Sequence, residues 1–132
     1  MQNNANFKYF FSMASLLAKF RIDYSDVIVI PDVTKKAGDD IKTEFKTIID
    51  KLNIAEEDLL ANKEKTNRNL RLAELLREHS TESEMVIMTL PMPRKGATPP
   101  NLYMSWLEVM TRKMPPFLLV RGNQTSVLTF YS

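Results

Sequence analysis

A layered α/β fold, with a mostly parallel sheet between helices, is what this chain of 132 residues predicts. Three observations predict it. Segments with helical apolar spacing alternate with short β-branched or aromatic runs, the pattern of α/β layers. Two of those runs, Val27 to Ile30 and Met85 to Leu90, are continuously apolar, as strands buried on both faces of a parallel sheet are. The last connection, Arg121-Gly122-Asn123-Gln124, is too short for a crossover, so the strand after it must run antiparallel. The expected architecture has three layers: helices on both faces of a sheet that is parallel over three strands and ends on an antiparallel C-terminal strand.

The elements follow in order. Asn6 to Arg21 reads as a helix, with Phe7, Phe10, Phe11, Ala14, Leu17 and Ala18 in one apolar stripe. Tyr9, Met13, Leu16 and Phe20 form a second stripe, leaving a narrow polar strip of Lys8, Ser12, Ser15 and Lys19. A helix apolar over most of its circumference is covered on more than one side. Val27 to Ile30 is the first expected strand, ended by Pro31-Asp32. Val33 to Asp40 is a polar loop in which Asp39 or Asp40 caps the next helix. Ile41, Phe45, Ile48, Ile49 and Leu52 share one face of that helix. Residues 53–69 pass from acidic to basic with few apolar anchors, the composition of a flexible connector with one helical turn at Asp58–Ala61. A helix then runs to Ser80 with Leu72, Leu75, Leu76 and His79 on one face.

Met85 to Leu90 is the second strand, closed by Pro91-Met92-Pro93. Thr98 is placed to cap a helix that carries proline in its first turn, where the missing N–H costs nothing. That helix runs to Lys113 and buries Leu102, Tyr103, Trp106, Leu107 and Met110. Phe117 to Val120 is the third strand and Val127 to Tyr131 the fourth, the two forming a terminal hairpin. The whole, 1–132, reads as a single domain. Its opening on a helix fits a fragment that has lost a preceding strand.

Composition excludes several functions. A net charge of +2, with cations interspersed among Asp and Glu, does not supply the concentrated basic face of a nucleic-acid binder. There is no cysteine, which removes disulfides and thiolate chemistry. One histidine and no cysteine cannot build a zinc site, and His79 lacks partners for general-base work. Only three glycines are present, so a Gly-rich phosphate cradle cannot be assembled. No apolar run approaches the roughly 20 residues needed to span a bilayer. No cofactor is expected.

One constellation bears on chemistry. Ligands of open α/β sheets bind beyond the carboxyl ends of the strands. Asp32, the Arg94-Lys95-Gly96 turn and Arg121 all follow expected strands, so they could gather at one edge and hold an anion or nucleotide. The other reading is that they are solvated loops and caps, polar because turns at strand ends are polar. Thr66, Ser80, Thr81 and Ser83 lie in polar context, the common state of a solvated hydroxyl as well as of a modification site.

Met13-Ala14-Ser15-Leu16-Leu17-Ala18-Lys19-Phe20-Arg21-Ile22-Asp23-Tyr24-Ser25-Asp26 and Arg71-Leu72-Ala73-Glu74-Leu75-Leu76-Arg77-Glu78-His79-Ser80 form two blocks of a recognisable pattern. Leu90-Pro91, Arg94-Lys95-Gly96, Leu102-Tyr103-Met104, Trp106-Leu107-Glu108, Leu119-Val120-Arg121-Gly122-Asn123 and Val127-Leu128-Thr129-Phe130-Tyr131-Ser132 complete it. Together these blocks resemble the cytosolic C-terminal domain of the cation–chloride cotransporters. The Arg94-Lys95-Gly96 turn and the Leu-Thr-Phe-Tyr-Ser ending resemble the sodium-dependent, Na–K–Cl branch. The resemblance covers nearly all of the chain except the connector, which is shorter than in familiar members, and the first dozen residues.

The resemblance implies a parent that is an electroneutral symporter moving chloride with sodium and potassium across the plasma membrane. It implies that this chain is the second of two universal-stress-protein-like halves of a cytosolic regulatory domain, outside the ion pathway. The implied partners are a second copy of the domain, the transmembrane domain and the first half of the cytosolic domain. A free-standing nucleotide-binding protein of the universal-stress type is the alternative, and it lacks the expected glycine-rich loop.

Overall fold

The computed structural model describes residues 2–30, 33 and 35–122, with side chains from Lys8 onward. Seven elements follow one another: α1 (Gln2–Lys19), α2 (Asp39–Leu52), α3 (Glu56–Ala61), α4 (Lys63–Ser80), β1 (Val86–Thr89), α5 (Pro100–Thr111) and β2 (Phe117–Val120). This is an α/β fold with a small parallel sheet. The chain divides into two compact units, Met1–Asp32 with Gly122–Ser132, and Val33–Arg121.

In the first unit α1 begins four residues before the expected start. It ends where Arg21 turns into the left-handed region at φ 53°. The Arg21 N–H then bonds the Ala18 carbonyl at 3.1 Å and the Ile22 N–H bonds the Leu17 carbonyl at 2.9 Å. Those two bonds satisfy carbonyls that the last helical turn would otherwise leave unpaired. Tyr9, Phe11, Met13 and Leu16 are exposed on α1. The expected strand over Val27–Ile30 is not a strand: the segment is irregular, and Ile28 is 64% exposed. A β-branched run supplies propensity, but a ladder also needs a neighbour to take its backbone N–H and C=O groups. The expected terminal strand, Val127–Tyr131, lies outside the described residues.

The second unit holds the core. Ile41, Phe45 and Ile48 of α2 meet Leu70 and Ala73 of α4 and Leu102, Trp106, Val109 and Met110 of α5 in one cluster. Leu52, expected on the buried face of α2, is exposed at its end. Neither Asp39 nor Asp40 caps α2. The N-cap is Gly38, and both aspartates fall in the first turn, where their charge complements the helix dipole. The Gly38 N–H instead reaches the Glu74 carboxylate at 3.1 Å. A Cβ at position 38 would lie 3.0 Å from that carboxylate, which sits at the far end of a flexible side chain.

Residues 53–69 are mostly helical, carrying α3 and the start of α4 rather than one isolated turn. Asn62, between the two helices, is buried and donates its amide to the Asp58 carbonyl at 2.9 Å. It also accepts the Thr98 hydroxyl at 3.2 Å. Thr98 is thereby occupied elsewhere and does not cap α5, whose N-cap is Pro99 with Pro100 in the first turn. The α5 helix stops at Thr111, short of the expected Lys113, whose φ of 60° breaks the helical path. On α4 the buried positions are Leu70, Ala73 and Leu75, and His79 is exposed rather than on the buried face.

Strands β1 and β2 pair in parallel, with Val86 opposite Phe117, Ile87 opposite Leu118, Met88 opposite Leu119 and Thr89 opposite Val120. The crossover between them is α5, as a parallel pair requires. Val86 and Met88 turn toward the core. Ile87, Leu118 and Val120 are exposed.

Candidate functional site

Parallel pairing puts the carboxyl ends of β1 and β2 at the same edge of the sheet. Arg121 follows Val120 directly, and the Leu90 N–H bonds the Val120 carbonyl at 2.8 Å just beyond β1. The Arg94-Lys95-Gly96 turn comes four residues later, with Gly96 at φ 76° and the Ala97 N–H bonded to the Arg94 carbonyl at 3.0 Å. Arg94, Lys95 and Arg121 are all exposed. Asp32, the fourth expected member, lies outside the described residues. The Tyr103 hydroxyl donates to the Pro91 carbonyl at 2.8 Å and fixes the path between β1 and the turn. Three solvated cations at one edge can attract an anion, but no ion pair or hydrogen bond among the described residues organises them into a cradle.

The best-organised charges lie elsewhere, in a clamp across three helices. Arg77 of α4 donates both terminal nitrogens to Glu44 of α2, at 2.7 and 2.8 Å. One of those nitrogens also donates to the Val109 carbonyl of α5 at 3.2 Å. The Arg77 hydrogen bond holds the Glu44 carboxyl below its ordinary range. Burial opposes that shift, and the charges of Arg77, Lys113 and Arg112 add to it. Such a fork is specific in geometry. It is a structural joint that ties α4 to α2 and α5.

Sequence reasoning missed this pair. The available signal was helical spacing: Leu70, Ala73 and Arg77 fall at i, i+3 and i+7, so the stripe that buries Leu70 and Ala73 also carries the guanidinium inward. A second joint ties the loop before α2 to α4. Asn67 accepts the Ala37 N–H at 2.9 Å and donates to the Lys35 carbonyl at 3.1 Å. Near it the Trp106 indole donates to the Thr66 hydroxyl at 3.1 Å. Among the described residues no group of three or more His, Asp or Glu side chains could hold a metal ion.

A sequence model of solute carrier family 12 matches residues 4–132. The chain is 48% identical over 130 residues to the bumetanide-sensitive sodium-(potassium)-chloride cotransporter of Manduca sexta. It is 42% identical over 142 residues to solute carrier family 12 member 2 of Homo sapiens, and 40% identical over 142 residues to solute carrier family 12 member 1 of Mus musculus. Each match covers 92% of this chain but only 12 or 13% of the relative.

Proposed function

This chain belongs to solute carrier family 12, and from that premise we propose that it is a cytosolic regulatory and dimerisation domain of an electroneutral sodium–potassium–chloride symporter of the plasma membrane, outside the ion pathway itself. Its partners in this reading are a second copy of the domain and the transmembrane and first cytosolic parts of the parent transporter. The extent of the match supports it: nearly all of this chain aligns with about an eighth of each relative. None of the described helices is long and apolar enough to cross a membrane, as a domain beside the ion path requires.

The observation that carries the reading is the outer face of the parallel sheet. Ile87, Leu118 and Val120 stand exposed on it, 65%, 48% and 44% accessible. Parallel sheets are covered on both faces, and an apolar patch left open marks an interaction surface. The finer architecture belongs to the same proposal: three layers, a C-terminal antiparallel strand and a universal-stress-protein-like half. No enzymatic role is proposed, because one relative is named as a cotransporter and the others as members of a solute carrier family. A free-standing nucleotide-binding protein is not favoured beside a family match of this extent.

The test uses the full-length protein that contains this chain. Ile87→Lys combined with Leu118→Lys is expected to lower crosslinking between the two sheet faces, and chloride-dependent rubidium uptake, at unchanged surface expression. Parental crosslinking and uptake in that variant would overturn the reading.

A further inference from the structure

Within the second unit a cavity of about 810 Å³ opens between α2, α3 and the first turns of α4. Its apolar wall is Phe45 and Ile49 from α2, Leu59 from α3 and Leu70 from α4. Phe45 and Leu70 belong to the core and are 5% and 3% exposed, so the wall is fixed. Lys36, Lys42, Lys63 and Arg68 stand around it, with Glu64 the one carboxylate lining the same space. All four cations are exposed, and none forms an ion pair with a described residue. Asn67 pins the loop that carries Lys36 by its bonds to Ala37 and Lys35, so this side of the mouth is held in place.

Four cations against one carboxylate leave a formal excess of three positive charges around an apolar wall. Like charges held together repel, and a cleft of one sign beside a low-dielectric wall concentrates counter-ions. The volume is that of a small-molecule site, which spans roughly 300–1,000 Å³. Inorganic phosphate would satisfy the cations and leave the wall wet; a neutral apolar molecule would do the reverse. The geometry points to a small amphiphilic anion as the occupant: a phosphate or carboxylate head among Lys36, Lys42, Lys63 and Arg68, and an apolar body against Phe45, Ile49, Leu59 and Leu70. The ligand is taken as a soluble monomer, because the cations ring a cavity rather than spread over a flat face as a bilayer surface would require. This site is separate from the sheet edge and from the exposed sheet face, and it does not rest on the transporter reading.

Calorimetry on the whole 132-residue chain with butyl, hexyl and octyl phosphate tests it. Affinity is expected to rise with chain length, by up to about fourfold per methylene buried. Lys42→Ala with Arg68→Ala is expected to raise the octyl phosphate dissociation constant about tenfold or more. Lys63→Ala serves as an independent variant, and thermal melting checks that each remains folded. Amide resonances of Ile49, Leu59 and Leu70 should move on titration. The proposal is overturned if inorganic phosphate or octanol binds as tightly, or if the variants leave affinity unchanged. It is equally overturned if the shifts fall on Arg94, Lys95 and Arg121, or if only phosphatidylserine vesicles or an acidic peptide bind.

Discussion

Replacing Arg77 with Met is expected to be the most damaging single change outside the apolar core. The side chain makes two charge-assisted bonds to Glu44 at 2.7 and 2.8 Å and a third contact to the Val109 carbonyl at 3.2 Å. The two side chains are 22% and 16% exposed, so the pair is largely but not wholly withdrawn from water. Removing one partner of a fully buried pair costs roughly 3–5 kcal/mol, because the other charge is left behind. Residual access to water lowers that, and methionine restores the apolar stem, so about 2.5 kcal/mol is the expected loss. For a chain of this size that is a fall of about 10 °C in Tm.

The pH dependence follows from Glu44. Its folded-state value lies below the ordinary 4.5, so the pair's contribution is fully present above that unfolded-state value. It is lost as pH falls through the lower folded-state value. Thermal denaturation by circular dichroism, from neutral pH down to about pH 3, should therefore show parent and Arg77→Met converging only at the acid end. Glu44→Gln should behave alike, and the double variant should cost less than the sum of the two singles. A melting point for Arg77→Met within about 2 °C of the parent, or a difference that stays flat to pH 3, would refute the clamp.

Two smaller effects should accompany it. Arg21→Gly relieves the left-handed conformation at φ 53° and should stabilise the end of α1 by about 0.5 kcal/mol. The readout is slower hydrogen exchange, relative to the intrinsic rate, at the amides of positions 21 and 22, and faster exchange would sink the idea. Thr66→Val removes the acceptor of the Trp106 indole and should cost about 1 kcal/mol. It should also shift the emission of the chain's single tryptophan, and an unchanged spectrum with unchanged stability would show that bond to be idle.

How far the fold was legible depended on whether an element carried its own explanation. The α2 stripe of Ile41, Phe45 and Ile48 and the α5 stripe of Leu102, Trp106 and Met110 are local patterns, and both helices bury them. The runs Val27–Ile30 and Met85–Leu90 look alike in sequence, yet only the second contains a strand. The difference is pairing: β1 has β2 beside it in register, returned by α5, and no ladder forms at 27–30. Propensity is written in the residues, whereas a pairing partner is a property of the whole chain.

The caps failed for a related reason. Asp39 and Thr98 have the right chemistry for N-caps, but Glu74 and Asn62, distant in sequence, settled the local geometry. That Arg94, Lys95 and Arg121 follow the carboxyl ends of two strands was legible, because chain order fixes what comes after each strand. Arg77 and Glu44 were not, since a charged residue on an amphipathic helix ordinarily faces water. Only contact between helices distinguishes the exceptions.

The exposed sheet face bears on how the domain would associate. Fully burying a Val, Leu or Ile side chain is worth about 1.5–3 kcal/mol. Ile87, Leu118 and Val120 have roughly half of that still to gain, at 65%, 48% and 44% exposure, so each copy offers about 3–4 kcal/mol. Two copies meeting face to face would gain about 7 kcal/mol gross, against an association cost put at roughly 4–15 kcal/mol. The surplus is near zero, so this face alone does not hold two separate chains together at micromolar concentration, which needs about 8 kcal/mol net. Tethering changes the balance. If two parent chains were joined elsewhere, their copies would meet at millimolar effective concentration, and the same few kilocalories would then suffice to pair them. A face of this strength suits a contact that forms and breaks within an assembly already joined elsewhere, and for that reason its test belongs in the full-length protein.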